Sequence, residues 1–162
     1  MRQSSRYRYM HTCYIHIRNT PVGDITVTEH GGCITGLTFD MSCPGQCRRT
    51  ALLDLCESQL MEYFRGERRR FDLPIYMEDT AFRQKVWKAL MDIPYGETIT
   101  YGELAKMIGS PNSARAAGSA CGANPLLIIV PCHRVVGRKG LTGYAGGLDS
   151  KKTLLKIEKS GK

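Results

Sequence analysis

The stretch Ile128-Ile129-Val130-Pro131-Cys132-His133-Arg134-Val135-Val136 sets the terms for the rest of the chain: a proline cuts an apolar run, and a thiol and an imidazole follow the cut. Proline has a fixed φ and no N–H to give a central ladder, so the pattern predicts a strand from Leu126 to Val130 that ends there. Cys132 then stands where a core element meets a loop, a common place for chemistry on a rigid scaffold. The thiolate is the reactive form of cysteine, and a free thiol with a pKa near ~8.5 needs a basic or cationic neighbour at neutral pH. His133 is that neighbour. Successive side chains of an extended strand face opposite ways, so the two cooperate only if the chain turns at Cys132 or a water bridges them. On these residues alone, a small buried Cys132 beside a satisfied core histidine is the competing reading.

Charge narrows the partners. Residues 1–80 hold ten Lys/Arg against ten Asp/Glu, whereas residues 81–162 hold thirteen against five, so the whole net charge of +8 lies in the half that carries Cys132. A basic domain around a nucleophile suits a polyanion, nucleic acid first, although a solvated basic surface explains the charge equally well. The seven cysteines are odd in number and irregularly spaced, which argues for free thiols in a reducing compartment. No apolar run approaches the roughly 18 residues of a membrane span, and the basic Met1–Met10 segment has no apolar stretch behind it, so neither a membrane nor a secretory leader is expected. The expected location is intracellular: cytoplasmic, or nuclear in a eukaryotic source.

In chain order, short alternating runs at Tyr14–Ile17, Ile25–Thr28 and Ile34–Phe39, separated by Thr20-Pro21-Val22-Gly23 and Gly31-Gly32, predict a three-stranded meander. A helix is expected from about Arg48 to Phe64, stopped by Gly66. Residues 67–79 read as a connection, dividing the chain into an α+β unit at 1–79 and a mainly helical unit at 80–162. The second unit begins with a Thr80-capped helix from Ala81 to Met91. A capping box, Thr100-Tyr101-Gly102-Glu103, opens a short helix, and Ser110 with Pro111 is expected to open another reaching Gly122. These two form a helix-turn-helix candidate. The second is thin: Ala114, Ala116, Ala117, Gly118, Ser119, Ala120 and Cys121 are small, and Arg115 is its one long side chain. A last helix, Ser150–Glu158, sets Glu158 beside its apolar face. His11, Cys13, His30 and Cys33, and the Cys43-x-x-x-Cys47 pair, fit no compact metal finger, and no metal ligand is assigned.

Pro131-Cys132-His133-Arg134-Val135 resembles the active-site motif of the O6-alkylguanine-DNA alkyltransferases, and the similarity extends from about Phe82 to Glu158 and more faintly over the first half. The resemblance implies an α+β fold, with a small antiparallel, ribonuclease-H-like first subdomain and a helical, winged-helix-like second one. It implies a DNA repair protein that moves the alkyl group of O6-alkylguanine, and potentially of O4-alkylthymine, from duplex DNA onto its own Cys132 in one irreversible turnover. By the same resemblance His133 is the base that receives the thiol proton, Glu158 orients it, and Asn124 links the helix-turn-helix to the active-site segment. Tyr101 helps rotate the nucleotide and donates to the base. Arg115 inserts into the duplex from a recognition helix in the minor groove, which is only about 6 Å wide. Val135, Tyr144 and Ala145 contact the base. No cofactor is expected, and the protein is expected to act as a monomer on double-stranded DNA. Two other classes stand beside this one: a cysteine hydrolase, which needs turnover and an oxyanion hole, and a non-catalytic relative that grips alkylated DNA, which would lack the nucleophile. A helix-turn-helix regulator is the weakest, because so thin a helix offers few side chains to read base edges.

Overall fold

Ile15, Ile17, Ile25 and Val27 recur at every second position, and all four are buried on one face of a sheet. The computed structural model describes residues 11–161; the basic Met1–Met10 stretch lies outside them. Strands β1 (Cys13–Thr20), β2 (Gly23–His30) and β3 (Cys33–Thr38) form the meander, with Ile15 opposite Val27 and Ile17 opposite Ile25. Such facing apolar pairs fix the register, since a one-residue slip would turn every one of them to solvent. A short strand β4 (Gln46–Cys47) pairs parallel to β1 and gives the order β3-β2-β1-β4.

Helix α1 (Ala51–Phe64) covers one face of the sheet with Leu53, Cys56, Leu60 and Tyr63. It starts later than the expected Arg48 because Arg48 still donates its N–H to the Tyr14 carbonyl across the sheet, at 3.3 Å. The cap is Thr50, whose hydroxyl accepts from Leu53 N–H at 3.1 Å.

The free edge of β3 joins the two parts of the chain. Ile34 exchanges backbone hydrogen bonds with Pro74 and Tyr76 at 2.8 and 3.1 Å, and Leu37 does the same with Pro125 and Leu127 at 2.8 and 3.1 Å. The segment that leads to Cys132 is therefore pinned to the sheet at Leu126–Leu127.

That segment is not the strand expected from Leu126 to Val130. Leu126 makes a single bridge to Leu37, and the chain then turns, with Val130 N–H on the Leu126 carbonyl at 2.9 Å and Ile128 at a φ of 72°. All five residues are buried, so no alternation existed to hold an extended strand, and a short apolar run does not distinguish a strand from a buried turn. A left-handed β-branched residue costs about 1–2 kcal/mol, sustained here by the surrounding core. Pro131 then caps one 3₁₀ turn, Cys132–Arg134, closed by Arg134 N–H on the Pro131 carbonyl at 3.1 Å.

Helix α2 (Ala81–Met91) is capped by Thr80 and buries Val86, Trp87 and Leu90. The Trp87 indole N–H reaches the Ala120 carbonyl at 2.8 Å. Helix α3 (Tyr101–Met107) follows β5 (Ile99–Thr100) and carries both halves of the capping box. Helix α4 (Ala114–Gly122) begins after Ser113; Ser110 and Pro111 belong to the preceding turn, which Ser113 N–H closes on the Ser110 carbonyl at 2.9 Å. Strand β6 (Val135–Val136) pairs parallel to β5, and α5 (Leu148–Ser160) closes the structure. Among the described residues, no helix is long and apolar enough to cross a membrane.

Candidate active site

The 3₁₀ turn solves the problem of two neighbouring residues facing apart. It turns the backbone at Cys132, so that the thiol reaches a cavity on one side while the His133 ring is fully buried on the other. The cavity is about 180 Å³. Gly118, Cys121 and Gly122 of α4 form one wall, Tyr101 of α3 another, and Gly143, Tyr144 and Ala145 of the glycine-rich loop a third. The loop packs closely: a Cβ on Gly146 would collide with the rings of Phe39 and Tyr144.

Behind Cys132 lies a buried polar network centred on Glu158 of α5. Its Oε1 accepts from Tyr63 Oη and from His133 Nε2, both at 2.7 Å. Arg134 donates to the same carboxylate through Nε and Nη2 at 3.0 Å each, and Gly96 N–H donates to Oε2 at 3.0 Å. Burial alone would push this carboxyl up, but His133 and Arg134 outweigh it and hold Glu158 at about 2. Burial lowers the His133 pKa more than the carboxylate raises it, so the resting ring is neutral. Because the carboxylate can only accept, Nε2 carries the ring proton, and Nδ1 is left as the basic nitrogen. Nδ1 is buried and has no protein partner.

Burial pushes the Cys132 thiol up to about 11, opposed by the Asn124 hydrogen bond and the Lys151 charge. At rest the group is a thiol, and its proton must leave as the sulfur reacts. Asn124 ties the end of α4 to the turn: its amide donates to the Val130 carbonyl at 2.8 Å and to Cys132 Sγ at 3.2 Å, and its oxygen accepts from Leu126 N–H at 2.9 Å.

Cys132, Tyr101, Tyr144 and Ala145 thus meet at the cavity, with His133, Glu158 and Asn124 behind the sulfur. Arg115 stands exposed on α4, away from the network. Val135 does not line the cavity; its side chain is buried and its carbonyl accepts from Lys151 Nζ at 2.6 Å. The Tyr144 hydroxyl is buried without a protein partner.

Sequence reasoning missed three contributors. Lys151 also donates to the Thr142 and Gly143 carbonyls at 2.9 and 3.2 Å, holding the cavity loop against β6. Its signal was available: Lys151, Leu154 and Glu158 share one face of α5 at helical spacing. Tyr63 was passed over because an apolar-face count favours leucine over tyrosine, and Arg134 because it sits beside the more conspicuous histidine. Among the described residues, no three His, Cys, Asp or Glu side chains are grouped to hold a metal ion.

Two family models match this chain: 6-O-methylguanine DNA methyltransferase, DNA binding domain, over residues 81–160, and its ribonuclease-like domain over residues 6–77. A Mycobacterium tuberculosis protein named methylated-DNA–protein-cysteine methyltransferase is 46% identical over 90% of this chain and 93% of its own length. A crystal structure of Mycobacterium tuberculosis OGT in complex with DNA superposes with a TM-score of 0.85 at 45% identity, covering 92% of this chain and 94% of that one. An O6-methylguanine DNA methyltransferase from Methanococcus jannaschii gives a TM-score of 0.61 at 31% identity over 84% and 88%.

Proposed function

The chain belongs to the 6-O-methylguanine DNA methyltransferase family, and from that membership we propose that it repairs O6-alkylguanine in duplex DNA by moving the alkyl group irreversibly onto Cys132. The observation that carries the reading is the position of one sulfur, on the wall of a cavity and backed by a neutral histidine on a buried carboxylate.

The extruded base enters beside Cys132, because an atom inside a stacked duplex is out of reach. The sulfur attacks the alkyl carbon: an S–C bond forms, the C–O6 bond breaks, and its electron pair stays on the guanine. The thiol proton passes to His133 Nδ1 by way of one water, and Glu158 stabilises the imidazolium that results. Tyr101 donates toward the departing guanine, and Tyr144, whose hydroxyl is buried without a protein partner, lines the same cavity. The thioether has no hydrolytic route back, so each molecule reacts once. No cofactor enters this scheme. The thin α4 fits the minor groove, and Arg115 enters the duplex in place of the extruded nucleotide. All these side chains come from one chain, so a monomer suffices. Residues 1–79 and 80–162 form the two units, and the protein works where the DNA is held, in the cytoplasm or, in a eukaryotic source, the nucleus.

The test incubates the protein with a duplex carrying one O6-methylguanine and weighs it afterwards. A gain of one methyl group per molecule, mapped to Cys132 and absent in Cys132→Ala, is expected. Unchanged mass with retained DNA binding would favour a non-catalytic relative, and repeated product release per molecule a hydrolase.

A further inference from the structure

Seven cysteines are present, and the scheme above uses one. Cys13, Cys56 and Cys121 are buried and Cys33 is half-buried, whereas Cys43 and Cys47 are exposed. Those two belong to the segment Cys43-Pro44-Gly45-Gln46-Cys47, which carries the chain from the end of β3 to the sheet edge. Cys47 lies in β4 directly across from Tyr14 of β1, and β4 is held there by Gln46 N–H on the Thr12 carbonyl at 2.8 Å. Gly45 packs so closely on the Thr12 backbone that a Cβ would collide with it, so the Pro44-Gly45 turn folds back over the start of β1. The Tyr14 hydroxyl beside this segment is pushed up to about 12, first by hydrogen bonding to Cys43, then by burial and by the charges of Cys43 and Cys47. The Cys43 sulfur also lies 3.9 Å from the Met41 carbonyl. Two exposed thiols thus lie with three residues between them on a segment folded back at Pro44-Gly45 and paired against Tyr14, far from Cys132 in the chain.

We propose that Cys43 and Cys47 form a dithiol site on the first subdomain that reacts with small-molecule disulfides and closes to an intramolecular disulfide. One thiolate attacks the small disulfide, forming a mixed disulfide and releasing one small thiol. The second attacks the protein sulfur of that bond, forming Cys43–Cys47 and releasing the other. The protein is oxidised by two electrons, the small disulfide is reduced by two, and the two thiol protons leave on the two released thiols. Exposure makes this pair react ahead of Cys132, which is buried and a thiol at rest.

The test treats the full chain with oxidised glutathione, quenches with acid and maps the cysteines by mass. The expected product is lighter by two hydrogens, with one Cys43–Cys47 disulfide and Cys132 still a free thiol. Cys43→Ser should stop at a lasting glutathione adduct on Cys47, and Tyr14→Phe should slow closure. Stable adducts on both cysteines without closure, a disulfide to any other cysteine, or reaction at Cys132 first would overturn the proposal. None of these readouts depends on DNA repair, so its failure is separate from a failure of the repair reading.

Discussion

Replacing Glu158 with glutamine keeps the shape of the side chain and removes the charge at the centre of the buried network. The carboxyl titrates at about 2 in the fold against an ordinary 4.5. At 1.36 kcal/mol per unit, this gap corresponds to about 3 kcal/mol of stability, in line with the 3–5 kcal/mol lost when one partner of a buried ion pair is removed. A carboxyl whose folded pKa is depressed contributes stability that is fully present above pH 4.5 and lost as pH falls towards 2. Urea unfolding at neutral pH should therefore find Glu158→Gln weaker by about 3 kcal/mol, with the two proteins converging as the wild type loses that contribution in acid. Methyl transfer should slow about 100-fold, because an amide does not stabilise an imidazolium as a carboxylate does. A variant as stable as the wild type at neutral pH, or one whose acid limb runs parallel to the wild type below pH 4.5, would refute the ion-pair account.

Four further outcomes follow from the same geometry. Burial depresses the His133 pKa below its ordinary 6.5, so stability should be full above pH 6.5 and decline as pH falls below it; His133→Asn should remove that part of the decline in pH-dependent unfolding. Asn124→Ala should cost about 1–3 kcal/mol by leaving the buried Leu126 N–H unpaired and removing one of the two hydrogen bonds to the Val130 carbonyl, and should also slow methyl transfer. Arg115→Ala should leave the unfolding free energy within about 0.5 kcal/mol, as for other exposed positions, yet weaken capture of the alkylated base in a duplex-binding assay. Iodoacetamide labelling of Cys132 in the free protein should be slow at neutral pH and rise with pH towards about 11, where burial has placed the thiol.

The parts of this structure written in local chemistry were legible in the sequence. Thr80 and the Thr100–Glu103 box placed two helix starts because a cap is a bond between near neighbours. The β1–β3 alternation was readable for the same reason. Ser110 misled because the sequence offers two serines, and only the fold decides that Ser110 closes a turn while the helix waits for Ala114. Leu126–Val130 misled because uniform burial erases periodicity. Cys132 and His133 stand out by type and position, whereas Glu158 is singled out only by the family resemblance, since a glutamate near a helix end is ordinarily solvated. Tyr63 and Arg134 could not be named, because their roles exist only once the fold brings both to the Glu158 carboxylate, 95 and 24 positions away.

The bond from Tyr63 to Glu158 joins residues 95 positions apart, from the helix that covers the sheet to the last helix of the described chain. Helix α1 is therefore wired into the polar network behind Cys132 and is more than a cover for the sheet. A gene cut between codons 79 and 80 should yield two pieces that are weak apart and regain alkyl acceptance when co-expressed, provided this hydroxyl can find its carboxylate again.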